Sequence, residues 1–150
     1  MMTTAPACFA AVFAALFVAH QVADHWVQTD RQATRKGSPG WPGRRGCAAH
    51  VATYTTTAAA ALLALAAATG LPLSAGRAAA GLAVSAVTHY VADRRTPLRR
   101  LAELVGAARF YTLGACRTGR DDNPSLGTGA YALDQSFHYA WLFVAALIIA

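Results

Sequence analysis

Ala19-His20-Gln21-Val22-Ala23-Asp24-His25-Trp26-Val27-Gln28-Thr29-Asp30 is the stretch on which the reading of the chain turns. A run of Ala, Phe, Val and Leu that begins near Ala5 acquires ionisable groups here before it has ended. A His and an Asp four residues apart share one face of a helix. The same pair recurs as His89 and Asp93, and in reversed order as Asp134 and His138. The spacing predicts a frame that carries these pairs, with His50, to one place.

The composition points to the solvent in which that frame folds. The chain is 55% hydrophobic and only 13% charged, a poor match to a water-exposed surface, so a bilayer is the simpler medium. A hydrocarbon core needs about 20 apolar residues of helix, and the segments 5–28, 47–69, 74–94 and 130–150 supply them. The expected fold is therefore all-α, an integral membrane four-helix bundle forming a single domain over residues 1–150. Asp30 to Gly46, rich in Gly, Pro and Arg, reads as a flexible loop. Gly70, Leu71 and Pro72 read as a tight turn, with Ser74 as the N-cap of the third helix. Thr96 and Pro97 read as an N-cap and first helical residue. They open a short amphipathic helix over 97–110 that would lie in the interface plane between helices three and four. Arg117 to Gly129 reads as an irregular connection.

Charge supplies the orientation. The net charge of +6 is not arranged on a basic face interleaved with aromatics, so nucleic acid is excluded as a partner. It falls in two loops, with Arg31, Arg35, Lys36, Arg44 and Arg45 in the first and Arg94 to Arg120 in the second, while Arg77 stands alone on the opposite side. Positive loops mark the cytoplasmic side, so the reading is a multi-pass membrane protein with both termini outside. The abundance of Ala and Arg suits a GC-rich bacterial or phage genome. Membrane lipid is the expected partner, and Arg99, Arg100 and Arg109 are the residues expected to meet anionic headgroups. Cys8, Cys47 and Cys116 have no paired spacing, so neither a disulfide framework nor a Cys-based metal site is expected. No Lys or Arg precedes Arg31, so the first helix lacks the basic flank of a cleaved signal and is expected to stay. The oligomeric state is not legible.

With this topology helices one and three run inward and helices two and four run outward. His20 precedes Asp24 and His89 precedes Asp93, which puts each Asp nearer the cytoplasm. In the outward fourth helix the order must flip to keep those depths, and Asp134 does precede His138. His50 opens the second helix at the same end. At about 1.5 Å per residue these side chains fall within roughly 10 Å of one boundary.

An ionisable group inside a membrane is a functional hypothesis, because a central Asp costs about 2.5–3.5 kcal/mol even on translocon scales. One reading is structural, with each His bonding the Asp one turn away and gluing the helices together. The reading that uses the common depth is a divalent metal site of one or two ions, Zn²⁺, Mn²⁺ or Fe²⁺. Its ligands would be His20, Asp24, His50, His89, Asp93, Asp134 and His138, with Asp24, Asp93 or Asp134 as catalytic base. Gln28, Asp30, Gln135 and Tyr54 are expected as supporting or substrate contacts, and His25 as interfacial.

At these residues the chain resembles an uncharacterised family of small bacterial and phage membrane proteins, domain-of-unknown-function family 3307. The resemblance rests on His20-x-x-x-Asp24 followed by Gln28-Thr29-Asp30, on His50, on His89-x-x-x-Asp93, and on Leu133-Asp134-Gln135 with His138. It implies a polytopic inner-membrane protein and supplies no reaction. The disposition is also similar to membrane-bound metal-dependent hydrolases with His and Asp ligands on several helices, an analogy of arrangement. The expected function is thus a metal-dependent hydrolase of a lipid, a phosphorylated or an amide substrate. The rivals are a transporter-like protein that carries a metal ion or protons, and a non-catalytic membrane adaptor.

Overall fold

The computed structural model describes residues 5–116 and 127–150, and its regular structure there is entirely helical. α1 (Ala5–Val22) passes directly into a π-helical turn, Ala23–Val27. There follow α2 (Asp30–Arg35), α3 (Gly40–Thr69), α4 (Ala75–Asp93), α5 (Thr96–Leu104), α6 (Ala108–Tyr111) and α7 (Gly129–Ile149). Among the described residues three stretches are long and apolar enough to cross a membrane: Ala5–Val27, Gly40–Thr69 and Gly129–Ile149. α4 is not among them, since its 19 residues include Arg77, Ser85, Thr88, His89 and Asp93.

α1 packs on α3 and on α7, and α4 packs on the same two, so α1, α3, α4 and α7 close a ring. One half of its interior is apolar, with Val12, Leu16, Ala58, Leu62, Leu142, Ala145, Ala146 and Ile149 at most 3% exposed. Small residues set how closely the helices approach. A Cβ on Gly81 would lie 2.9 Å from Ala145 O and would strike Ile149, so this Gly is what lets α4 lie against α7. At the same end Arg77 Nε donates to Ile148 O at 2.8 Å, a cation on the last carbonyls of α7. Ser74 caps α4 as expected, its Oγ accepting from Arg77 N, and Gly70 ends α3 in the left-handed conformation at φ 68.

Several expectations about local structure need correction. The segment Asp30 to Gly46 is not a flexible loop. Thr29 and Gln32 form a reciprocal capping box that starts α2, and α3 begins at Gly40 rather than Cys47. Gly46 makes room for α2, because a Cβ there would sit 2.9 Å from Arg35 Cβ. The first helix does not run as α-helix to Gln28, since it widens at Ala23 and the chain is extended by Gln28. The helix expected over 97–110 is broken at Gly106 (φ 79) into α5 and α6. Leu98 and Ala102 are buried inward while Leu104 is 84% exposed, so α5 is docked on the ring rather than lying free. Thr96 and Pro97 open that helix, but the capping position belongs to Arg95, whose φ is 59. The connection expected from Arg117 to Gly129 lies almost wholly outside the described residues.

Candidate functional site

The polar cluster sits at the other end of the ring from Gly81 and Ile149. His20 ends α1 and Asp24 stands in the π-helical turn; His89 and Asp93 end α4. His50 lies in the first half of α3, and Asp134 and His138 in the first half of α7. Two helices thus arrive at this end and two depart from it. The four imidazoles are 0–3% exposed and Asp93 is 3% exposed, so these groups are withdrawn from water.

Their polar atoms converge. His50 Nε2 and His89 Nε2 are 3.0 Å apart. Asp24 Oδ1 lies 3.3 Å from the former and 3.6 Å from the latter, and Asp93 Oδ2 lies 3.3 Å from each. His20 Nε2 stands 3.5 Å from Asp24 Oδ2, and His138 Nε2 stands 3.7 Å from Asp134 Oδ2. The ring centroids of His89 and His138 are 4.2 Å apart, and those of His20 and His138 are 4.8 Å apart.

Of these approaches only that between His50 Nε2 and His89 Nε2 is a hydrogen bond. Among the described residues Asp24 Oδ1, Asp93 Oδ2, His20 Nδ1 and Nε2, and His138 Nε2 are buried without a hydrogen-bond partner. Buried polar atoms are rarely left so. A divalent ion about 2.0–2.2 Å from its N and O ligands holds neighbouring ligand atoms about 3.0–3.5 Å apart, and the separations around His50 and His89 lie in or just beyond that range. Asp24, His50 and His89 offer one such group, His20, His89 and His138 a second, and Asp93, Asp134 and His138 a third, each within 4.8 Å. Because His89 and His138 recur, the groups that could hold an ion form one continuous field across four helices.

Residues 12–150 match the family described as "Protein of unknown function (DUF3307)". The chain belongs to that family. All the clustered His and Asp residues lie inside the matched span. No curated protein and no solved structure matches the chain.

Several residues that hold this cluster carry no motif signal. Lys36 Nζ pairs with Asp93 Oδ1 at 2.8 Å, and Arg94 fixes the segment that bears Lys36 by donating to Lys36 O at 2.5 Å and Ser38 O at 2.6 Å. On α7 a chain of polar groups leads to Asp134. Gln21 Nε2 donates to Tyr139 Oη at 2.8 Å, Tyr139 donates to Gln135 Oε1 at 3.0 Å, and Gln135 Nε2 donates to Asp134 Oδ2 at 3.3 Å. The i,i+4 pairing of Gln135 with Tyr139 was readable as a shared face; Gln21 and Lys36 were not.

The other expected contacts divide. Tyr54 stacks on His89 with ring centroids 4.0 Å apart, and its hydroxyl pairs with Ser85 Oγ at 2.6 Å, so it forms a wall of the cluster. Gln28 lies beside the cluster with its Nε2 buried and unpartnered. Asp30 is exposed at the start of α2 and stands apart from the cluster, and His25 is exposed with Nδ1 2.9 Å from Gln21 O. Arg99 pairs with Glu103 at 3.0 Å, and Arg99, Arg100 and Arg109 are all exposed.

A cavity of about 450 Å³ opens over the cluster. Asp24, Asp93 and Asp134 form its floor, Gln28 and Gln135 stand beside them, and Lys36 and Arg95 bring positive charge. Leu98 of α5 and Tyr111 of α6 line its wall, so the short helices close one side of the site.

Proposed function

We propose that this is a bacterial inner-membrane protein whose four long helices all cross the bilayer, and whose cluster is a divalent metal centre catalysing hydrolysis on the cytoplasmic side. The observation that carries the reading is the approach of Asp24, His50, His89 and Asp93 at 3.0–3.6 Å while Asp24 Oδ1 and Asp93 Oδ2 lack a hydrogen-bond partner. α4 counts as a span because it follows α7 over its length, from Gly81 against Ile149 to His89 beside His138. Whatever depth α7 reaches, α4 shares. The loop charge puts the cavity inside and both termini outside.

Zn²⁺, Mn²⁺ or Fe²⁺ bound by these residues would activate water. Asp134 is the carboxylate best placed to take its proton. Its side chain is 27% exposed against 9% for Asp24 and 2% for Asp93, it lines the cavity, and Gln135 orients it. The apolar half of the ring supports a one-sided site over a transporter, since the core below the cluster gives an ion no polar route. Arg99, Arg100 and Arg109, with exposed Leu104, Val105 and Phe110 nearby, suit a surface resting on anionic lipid.

The test is hydrolysis by protein purified in detergent, stripped with a chelator and reloaded with each metal, against chromogenic phosphate, carboxyl-ester and anilide substrates. The proposal expects turnover that disappears on stripping, returns with one metal, and falls at least a hundredfold in Asp134→Asn. Metal binding without turnover on any substrate would leave an ion-binding protein and remove the hydrolase.

A further inference from the structure

The cavity over the cluster also says what class of substrate fits. We infer that it receives a phosphate group, as a phosphomonoester or phosphoanhydride, held by Arg95 and Lys36 against the metal ligands; the inference rests on the metal centre proposed above.

Arg95 is an exposed cation at the rim of the cavity, without a partner among the described residues. Its neighbours are committed, with Arg94 donating to Lys36 O and Ser38 O and Arg99 paired with Glu103. Among the described residues no carboxylate pairs with the Arg95 guanidinium, although the residue lines a cavity floored by Asp24, Asp93 and Asp134. Two features hold it there. Its backbone has φ 59, the one positive value among the described non-glycine residues, in a region where a side chain is rare and, when found, clusters at binding sites. Its side chain also passes over Gly37, where a Cβ would lie 2.8 Å from Arg95 Cδ and 2.9 Å from Nε. Lys36 is fixed from the other direction by its bond to Asp93, which uses one of its three N–H donors and leaves two.

Charge then selects the ligand. With two divalent ions bound, the floor carboxylates are more than neutralised, and Lys36 and Arg95 add to the excess; with one ion the cavity is still positive. A neutral amide or ester would leave that excess in place. A phosphate dianion offsets it, and the planar guanidinium fork matches two of its oxygens. In the hydrolysis, water oxygen forms a bond to phosphorus as the bond from phosphorus to the leaving oxygen breaks. Asp134 takes the proton from water and returns it to the leaving oxygen, so inorganic phosphate and an alcohol, or a second phosphate, are the products.

The test uses the full chain in detergent, loaded with Zn²⁺ or Mn²⁺, with bound metal measured on every sample and inorganic phosphate titrated by calorimetry. Arg95→Gly removes the guanidinium while suiting a positive φ, so it should fold. It should keep its metal and bind phosphate at least tenfold more weakly. Arg95→Lys should fall between it and the wild type. Phosphate bound equally by Arg95→Gly, or not bound by metal-loaded wild type, overturns the inference and leaves the metal centre standing. Wild type without metal overturns both. Glycerol 3-phosphate and phosphatidic acid in mixed micelles separate the sources of the group. Either one competing with inorganic phosphate supports the inference and names a soluble or a lipid ligand, whereas competition by neither overturns it.

Discussion

Lys36 Nζ lies 2.8 Å from Asp93 Oδ1, which ties the segment after α2 to the last residue of α4. The other oxygen of the same carboxylate faces His50 and His89 at 3.3 Å. Asp93 is therefore shared between a fixed ammonium and the imidazoles. Lys36→Met should cost more than the ~1 kcal/mol of an exposed pair and less than the ~3–5 kcal/mol of a fully buried one, because Lys36 keeps 14% of its side chain exposed. Bound metal takes over part of the compensation of Asp93. Melting in detergent should thus show a larger drop for Lys36→Met in chelator than in saturating Zn²⁺, and equal drops would deny that Asp93 serves the metal.

Packing at the far end of the ring gives an independent test of the fold. Gly81→Val should destabilise by about 1–3 kcal/mol through overpacking, since Ala145 and Ile149 occupy the space. Gly76→Ala on the same helix meets nothing within 4 Å and should stabilise by about 0.5–1 kcal/mol. Opposite signs for the two in a thermal melt are expected. A tolerated Gly81→Val would mean that α4 does not lie against α7.

Orientation can be read with the native thiols. Cys116 is exposed near the cluster end, whereas Cys8 and Cys47 are buried. A membrane-impermeant maleimide added to intact cells should leave wild type unmodified and label Gly76→Cys, which sits in open space near the turn between α3 and α4. Labelling of Cys116 in intact cells would place the cluster on the outer face and exclude a cytoplasmic substrate.

The long helices and the gathering of the seven His and Asp residues were legible in the apolar runs and in the reversed Asp134–His138 order, which suits a helix running opposite to α1 and α4. What escaped the sequence was made by tertiary contact or by departures from regular helix. The π-helical turn at Ala23–Val27 has no periodic signature, yet it carries Asp24 at the edge of His50 and His89. Thr29-x-x-Gln32 is a capping box in plain view, and it was outweighed by the Gly and Pro that follow it. Lys36 reads as loop charge because nothing in the spacing tells a cation that faces solvent from one that turns inward to Asp93. α5 and α6 read as one helix because the apolar stripe continues across Gly106, whose positive φ breaks it.

The central claim is that side chains from four helices share one metal centre, and metal content measured by elemental analysis on untagged protein tests it most directly. The account predicts one or two divalent ions per chain in the wild type. It predicts their loss in each of His20→Ala on α1, Asp93→Asn on α4 and His138→Ala on α7, with loss of the stabilisation that metal at a hundred times its dissociation constant confers, about 2.7 kcal/mol. Wild-type protein without metal, whose melting neither Zn²⁺ nor Mn²⁺ moves, would contradict the account and leave the cluster as a set of His–Asp contacts between helices.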